Sequence, residues 1–312
     1  MTERLATVTP AVLSKLAQLG ARGEQWLAGL PDLITELEEL WAMTVVQPLS
    51  GGSEAYVARV RTGDSGAAVL KVVIPGAPFA GEMRTLAAAR GRGYVALLAR
   101  DIERRAMLLE ALGSSMTQLS LSPERAIRLL CRALRDAWQV PRPAVMTVAP
   151  EDEKAGQLGR EITELWGALG RPCSERVVRQ ALEFAARRSA AFDLERCVVV
   201  HGDPHPGNAL QVRTARSGAE CGFALIDPDG FLADPAYDLG VVLRDWCEQL
   251  LAGNPVARAR RYCQLLAGET GMDEVAIWEW GFIERVSSGL YLLSLGLDDA
   301  AGPLLATAQT LT

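Results

Sequence analysis

Both histidines of this 312-residue chain fall in one octapeptide, which also holds Asp203 and Asn208. A later apolar run, residues 223–226, ends directly on Asp227. This run and residues 209–212 can pair as a hairpin across the polar connection between them, which would bring the three polar side chains together. The alternative is a polar loop with Asx turns and a helix cap, which a lone Asp-Pro or Gly-Asn pair would suggest. We therefore expect the chemistry of the chain at the ends of these short strands.

Asp203 and Asn208 have the spacing of the kinase catalytic loop, in which the Asp accepts the proton of the acceptor hydroxyl and the Asn binds Mg²⁺. Phosphoryl transfer also needs further oxygen ligands that hold Mg²⁺ on the triphosphate. We predict Asp203 as the catalytic base, Asn208 and Asp227 as metal ligands, and ATP and Mg²⁺ as cofactors. His201 and His205 are assigned to the scaffold of the loop. Participation of His205 in the transfer is the second alternative, and metal binding by the histidine pair is the third.

Residues 43–112 have the pattern of a small antiparallel sheet with one helix. Turns at residues 50–53 and 62–66 separate the first three apolar runs. The strands are predicted at residues 44–49, 55–60, 67–74, 94–100 and 106–109, and the helix at residues 79–90.

Lys71 stands near the end of the apolar run 67–73, where a lysine is unusual unless an anionic group meets it. The phosphates of ATP would meet it, and Glu82 in the predicted helix is the natural partner of its ammonium group. The alternative for Glu82 is a solvated position on the helix surface. We predict Lys71 and Glu82 as cofactor-binding residues.

Two further segments are candidates for nucleotide contacts. The turn Ser50, Gly51, Gly52 and Ser53 can cover phosphates with backbone N–H groups, although it lacks the Gly-x-Gly-x-x-Gly spacing and is alternatively a plain hairpin turn. Residues 107–112 resemble a hinge that offers backbone groups to adenine, with Glu110 and Leu112 as the predicted contacts. An ordinary edge strand followed by a loop would have the same residues.

The remainder of the chain is predicted to be mainly helical. Residues 1–42 repeat apolar side chains at helical spacing and form a predicted N-terminal cap, and residues 113–312 form a predicted helical C-lobe. Ser122, Ser174 and Asp273 are predicted helix N-caps, and Asp238 is either an N-cap or a clasp beneath the catalytic loop. The predicted fold class is α+β, with a five-stranded antiparallel N-lobe at residues 43–112 that binds the nucleotide.

Charge and composition narrow the classes of partner. The formal net charge is −6, which argues against general binding to nucleic acid or anionic lipid and favours a cationic small-molecule acceptor. The six cysteines form no Cys-x-x-Cys pair, and no apolar run reaches the roughly 18 residues of a membrane span. We expect a cytoplasmic protein without a signal peptide. Candidate acids for the acceptor are Asp234, Asp245, Glu248, Glu279 and Glu284.

The segments 201–208, 225–230 and 234–239 together resemble the aminoglycoside phosphotransferases. Looser similarity at further segments resembles the streptomycin 6-phosphotransferase and hydroxyurea phosphotransferase branch: residues 26–31, 69–71, 107–110 and 284–290. The resemblance implies a bilobal protein-kinase-like fold, ATP and Mg²⁺, and transfer of the γ-phosphate to a hydroxyl. The chain has Asp-Pro-Asp at 227–229 where protein kinases have Asp-Phe-Gly, so a protein substrate is not expected.

The expected function is therefore phosphorylation of an aminoglycoside such as streptomycin, with antibiotic resistance as its result. One alternative is a kinase for another small hydroxyl compound, such as hydroxyurea, a sugar or an amino alcohol. Another is a nucleotide-binding pseudokinase, which the presence of Lys71, Asp203, Asn208 and Asp227 disfavours. The pattern does not identify the acceptor or the oligomeric state.

Overall fold

The computed structural model describes residues 7–50, 52–63, 66–143 and 146–312. Its strands are β1 (Met43–Pro48), β2 (Ala55–Thr62), β3 (Ala67–Val73), β4 (Leu97–Asp101), β5 (Ala106–Glu110), β6 (Val198–Val200), β7 (Ala209–Gln211), β8 (Phe223–Leu225) and β9 (Phe231–Ala233). Its helices are α1 (Pro10–Gln18), α2 (Ala21–Leu40), α3 (Ala80–Ala89), α4 (Pro123–Ala137), α5 (Lys154–Ala168), α6 (Glu175–Ala190), α7 (Ala236–Arg244), α8 (Cys247–Leu251), α9 (Pro255–Thr270), α10 (Glu274–Ser294) and α11 (Asp298–Thr310).

The N-lobe is a five-stranded sheet in the order β1-β2-β3-β5-β4, with all neighbours antiparallel. The predicted strand at residues 94–100 is shorter in the structure, where β4 begins at Leu97. The reason is that the backbone around Tyr94 pairs with Leu225 instead, and the N–H of Val95 donates to the carbonyl of Leu225 at 2.9 Å. This segment therefore ties the N-lobe to β8.

The N-terminal helices cover one face of the sheet. Leu30, Ile34 and Leu37 of α2 pack in one buried cluster with Tyr56 and Leu70 of the strands, as the helical spacing predicts. Residues 1–6 of the predicted cap lie outside the described ranges. Burying one apolar stripe of α2 on the sheet gives the N-lobe a core of its own.

Helices α4 to α11 surround the larger core of the C-lobe. Their starts follow the predicted capping chemistry, since Ser122, Ser174 and Asp273 each accept hydrogen bonds from first-turn N–H groups. Helix α10 packs against α7, with Phe282 edge-on to Phe184 of α6 at 5.3 Å between centroids. The chain is thus divided into two lobes, and we propose domain boundaries at 42/43 and 112/113. Within the described ranges no helix is both long and apolar enough to cross a membrane.

Two short two-stranded sheets lie in the C-lobe. Strands β7 and β8 pair antiparallel as the sequence predicts, and β6 pairs antiparallel with β9, which was not predicted. Both pairs end next to polar residues, so these small sheets position the loops that follow β6 and β8.

Candidate active site

The loop that follows β6 is held from below by a buried carboxylate. Asp238, which has no exposed surface, accepts hydrogen bonds at 2.9 Å from the N–H groups of His201 and Gly202 and from the indole of Trp138. Burial raises the pKa of Asp238 to about 6, while the three donors favour its charged form. The clasp predicted for Asp238 is therefore present, and its link to Trp138 of α4 was not predicted.

His201 joins the same loop to the end of β8. Its Nδ1 accepts from the N–H of Asp203 at 3.1 Å, so its Nε2 carries the proton and donates to the carbonyl of Ile226 at 2.9 Å. Burial of the ring lowers the pKa of His201 to about 4. The neutral imidazole is thus a structural bridge, in agreement with its predicted role as scaffold.

Asn208 and Asp227 are brought together by the pairing of β7 with β8. The N–H of Ile226 donates to the carbonyl of Asn208 at 2.9 Å, and Ile226 directly precedes Asp227. The side-chain amide of Asn208 donates to the carbonyl of Asp203 at 3.1 Å, which leaves its Oδ1 as an available acceptor. The geometry therefore places the three predicted residues in one cluster.

Lys71 joins this cluster from the N-lobe. Its Nζ lies 2.6 and 2.8 Å from the two carboxylate oxygens of Glu82 and 2.8 Å from Oδ1 of Asp227. Burial works against the charge of Lys71, but the two carboxylates raise its pKa above the usual value. Burial also acts to raise the pKa of Asp227, and the ammonium group outweighs it and lowers that pKa. The predicted Lys71–Glu82 pair is formed, and its contact with Asp227 joins the two lobes.

The turn after β8 packs against α3 at glycine positions. A Cβ atom on Gly81 would lie 2.1 Å from the carbonyl oxygen of Asp229, and one on Gly230 would lie 2.1 Å from Oγ1 of Thr85. Asp227 itself adopts a left-handed conformation with φ 56°, which is uncommon outside glycine. Close backbone contact therefore couples the position of Glu82 on α3 to that of Asp227.

These features agree with comparisons to known proteins. The model of the family "Aminoglycoside/hydroxyurea antibiotic resistance kinase" matches residues 41–296, most of the chain. The chain belongs to this family. It is 27% identical over 297 residues to a streptomycin 6-kinase of Streptomyces glaucescens, covering 94% of this chain and 93% of that protein. It is 29% identical over 265 residues to a hydroxyurea phosphotransferase of Kitasatospora aureofaciens, covering 84% and 72%.

The fold is shared with a solved kinase structure. The crystal structure of a macrolide 2′-phosphotransferase from Brachybacterium faecium superposes with a TM-score of 0.57 at 17% identity, covering 89% of this chain and 98% of that one. The predicted bilobal, kinase-like α+β fold is therefore confirmed. As membership of this family implies, the chain is a phosphotransferase that uses ATP as co-substrate and a small molecule as acceptor.

An arginine that the sequence did not single out contacts the predicted base of this kinase. The Nη2 of Arg244 lies 2.7 Å from Oδ1 of Asp203, and its Nη1 lies 3.3 Å from Oε2 of Glu284. Its position at the end of an apolar segment is the one local sign of burial, and this sign does not indicate which anionic groups surround the guanidinium. His205 lies farther from the same carboxylate, with its Nε2 3.6 Å from Oδ2 of Asp203.

The predicted adenine contacts lie where β5 leaves the sheet. The side chain of Glu110 is occupied, because it accepts from the N–H of Ala96 at 3.1 Å and from Nη2 of Arg216 at 2.7 Å. The carbonyl of Leu112 accepts from Nε of Arg213 at 3.2 Å. Within the described part of the chain, the N–H of Leu112 has no hydrogen-bond partner, so any nucleotide contact here would use main-chain atoms.

The predicted phosphate-covering turn lies between β1 and β2. Ser50, Gly52 and Ser53 are exposed there, and Gly51 lies outside the described residues. The hydroxyl of Thr9, just before α1, donates to the carbonyl of Gly52 at 3.2 Å. The N-terminal cap therefore touches this turn directly.

Three of the five candidate acceptor acids separate into two groups. Glu284 and Asp245 both lie beside Arg244 and hence near Asp203. Glu279 forms a buried ion pair elsewhere, with its carboxylate 2.5 Å from Nε of Arg187. The first group is therefore the one that can face a substrate bound at Asp203.

Proposed function

We propose that this kinase transfers the γ-phosphate of ATP to a hydroxyl of an aminoglycoside such as streptomycin. The observation that carries the proposal is the meeting of Lys71, Asn208 and Asp227 with Asp203 at the junction of the two lobes. A base, a phosphate-binding ammonium group and oxygen ligands in one place are the parts that phosphoryl transfer needs. Since cytoplasm supplies ATP, we also propose that the protein acts there.

In this proposal Asp203 accepts the proton of the acceptor hydroxyl as its oxygen attacks the γ-phosphorus and ADP leaves. Its side chain is 42% exposed, so the carboxylate is accessible to an incoming hydroxyl. Lys71, oriented by Glu82, binds the phosphates and compensates their charge. The buried Asp238 and His201 keep the loop of Asp203 in place without touching the reactants.

The residues present suit a magnesium ion. Asn208 and Asp227 offer a free amide oxygen and a carboxylate that is 41% exposed, and Mg²⁺ prefers oxygen ligands. Among the described residues no group of three or more His, Cys, Asp or Glu side chains is arranged to hold a metal. This agrees with Mg²⁺, which typically takes one or two protein ligands and fills its shell with water and substrate phosphates. When bound, Mg²⁺ would neutralise charge on the phosphates.

The nucleotide is proposed to lie along the N-lobe. The turn Ser50, Gly51, Gly52 and Ser53 would cover the phosphates with main-chain N–H groups. Main-chain atoms of Glu110 and Leu112 would contact adenine, which the unpaired N–H of Leu112 supports.

The charge around Asp203 supports a cationic acceptor. The carboxylates of Asp203, Asp245 and Glu284 all lie within 4 Å of the one guanidinium group of Arg244. Three carboxylates around one guanidinium leave a net negative charge, which attracts a positively charged ligand. An aminoglycoside carries positive charges on its amino or guanidino groups.

A second candidate acceptor is hydroxyurea, favoured by the 29% identity to a hydroxyurea phosphotransferase. The decisive experiment is a coupled assay of ADP release with Mg·ATP against streptomycin, other aminoglycosides, hydroxyurea, sugars and amino alcohols. We expect turnover that depends on streptomycin or a related aminocyclitol and is lost in Asp203→Asn. Turnover with hydroxyurea alone would show that hydroxyurea, and not an aminoglycoside, is the acceptor. An absence of turnover with every acceptor would refute the enzyme assignment.

A further inference from the structure

Arg244 holds one oxygen of the carboxylate of Asp203, the proposed base. Its Nη2 lies 2.7 Å from Oδ1 of Asp203, and its side chain is only 15% exposed. A charge-assisted hydrogen bond of this length in a largely dry position holds its acceptor more strongly than a contact in water. Because the contact uses Oδ1, the other carboxylate oxygen, Oδ2, can accept from the hydroxyl of the acceptor, with Nε2 of His205 3.6 Å from it.

The guanidinium of Arg244 is itself held on its other edge. Its Nη1 lies 3.3 Å from Oε2 of Glu284 and 3.1 Å from Oγ of Ser288. The hydroxyl of Tyr237 donates to the second oxygen of Glu284 at 2.7 Å, and Glu284 is buried. Asp245 lies on the remaining side, with Oδ1 3.5 Å from Nε. A planar guanidinium with partners on several edges is held in one orientation. Its contact with Oδ1 then fixes the orientation of the Asp203 carboxylate.

The backbone that carries Arg244 is also anchored. Helices α7 and α10 cross at two glycines, where a Cβ atom on Gly240 would lie 2.4 Å from Cβ of Trp280. The buried Arg285 donates to the carbonyls of Leu243 at 2.6 Å and of Arg244 at 3.3 Å, which secures the last turn of α7. Glu284 and Arg285 thus hold Arg244 from the same helix, one at its side chain and the other at its main chain.

We propose that Arg244 is a positioning residue for phosphoryl transfer, which sets the orientation of the Asp203 carboxylate toward the acceptor hydroxyl. This inference rests on the proposed function, in which Asp203 is the base. It assigns a role in the catalytic step to Arg244 and no role in nucleotide binding, because the contacts of its side chain are with Asp203, Asp245, Glu284 and Ser288 and not with Lys71, Asn208 or Asp227. Lysine cannot replace it, since a single ammonium group cannot span Asp203 and Glu284 in one plane.

The experiment compares Arg244→Ala with Arg188→Ala. Arg188 is the matched control, because its side chain is 14% exposed and its Nε lies 2.6 Å from the buried Glu279, away from Asp203. Acceptor-dependent kcat and the KM values for ATP and acceptor are measured for both, with and without guanidinium chloride well below unfolding concentrations. Thermal melting of each variant reports whether it folds. Arg244→Lys supplies a second measurement if the alanine variant does not fold.

We expect Arg244→Ala to lose about 100-fold in kcat, as misplacement of a catalytic group by an ångström does, with the KM for ATP unchanged. Free guanidinium should restore part of that kcat in Arg244→Ala and leave Arg188→Ala and Asp203→Asn unaffected. We expect Arg244→Lys to show a loss in the same direction. A kcat equal to that of the control, a loss that guanidinium does not reverse, or full activity in Arg244→Lys would overturn the inference. If the wild type itself shows no acceptor-dependent turnover, the proposed function has failed instead.

Discussion

The ammonium nitrogen of Lys71 lies 2.8 Å from Oδ1 of Asp227, although 156 residues separate them in the chain. Since Lys71 belongs to β3 of the N-lobe and Asp227 follows β8 of the C-lobe, this contact crosses the junction of the lobes. Glu82 completes the cluster at 2.6 Å from the same nitrogen. One cation between two carboxylates leaves a net negative charge, which a bound Mg²⁺ would complement.

The first prediction concerns Asp227→Asn. Asn tolerates the left-handed conformation at this position and keeps the shape of the side chain, so the change removes charge with little strain. We expect the affinity for a non-hydrolysable ATP analogue with Mg²⁺ to fall by more than about 10-fold, since even indirect partners of metal ligands contribute 10–100-fold. Calorimetric titration with and without Mg²⁺ measures this. A variant with the wild-type dependence on Mg²⁺ would contradict the assignment of Asp227.

The second prediction concerns Asp203→Asn. The amide oxygen can still accept from Arg244, but the side chain can no longer take a proton, so kcat should fall by roughly 10²–10⁴-fold. The Kd for Mg·ATP should stay at the wild-type value, because the nucleotide contacts are on other residues. Asp193→Asn, a change at an exposed helix cap, is the control. A kcat in Asp203→Asn equal to that of the control would contradict the assignment of Asp203 as the base.

The third prediction follows from the buried His201. In the folded protein its pKa is lowered to about 4 from the usual 6.5, so the unfolded chain takes up a proton first as the pH falls. The contribution of His201 to the free energy of unfolding is therefore fully present above about pH 6.5, and about 3 kcal/mol of it is lost as the pH falls from 6.5 to 4. The contribution of Asp238, whose pKa is raised to about 6, has the opposite pH dependence and increases as the pH falls.

The measurement is the difference in free energy of unfolding between the wild type and His201→Gln, from urea titrations at several pH values. The difference should shrink as the pH falls through this window, because only the wild type loses stability there through His201. The chain has two histidines, so His205→Gln measured in parallel assigns the effect to one of them. A difference that is independent of pH would show that His201 is not held neutral.

The sequence predicted those parts of the site that depend on local pattern. Strand ends and turn residues located Asp203 and Asn208, and a lysine in an apolar strand indicated an anionic partner such as Glu82. These signals lie within a few residues of the side chain that they indicate. The fold class could be predicted in the same way, because hydrophobic periodicity and capping residues are properties of single segments.

Arg244 and β9 could not be predicted because their partners are remote in the chain. Nothing near Arg244 in the sequence indicates that Asp203 and Glu284 will surround it, since that depends on how closely α7 approaches α10. Strand β9 has only three residues and forms because β6 presents its edge, so its own pattern is too short to indicate a strand. Tertiary packing decides both.

The fourth prediction tests that packing through Gly240→Ala. A Cβ atom there would lie 2.4 Å from Cβ of Trp280 and 2.7 Å from the backbone nitrogen of Gly281, so α7 must move away from α10. We expect a loss of about 1–3 kcal/mol in unfolding free energy from overpacking. Because Arg244 ends the same helix, kcat should fall as well, through misplacement of Asp203, with the KM for ATP little changed.

Gly167→Ala is the matched control for this change, since Gly167 lies inside α5 and a Cβ atom there would meet nothing within 4 Å. Alanine in an open helix position stabilises by about 0.5–1 kcal/mol relative to glycine. Urea unfolding and steady-state kinetics on both variants separate close packing from helix propensity. If Gly240→Ala is stabilised like the control and keeps its kcat, then the crossing of α7 and α10 does not set the position of Arg244. If stability falls while kcat is retained, the crossing contributes to the fold alone.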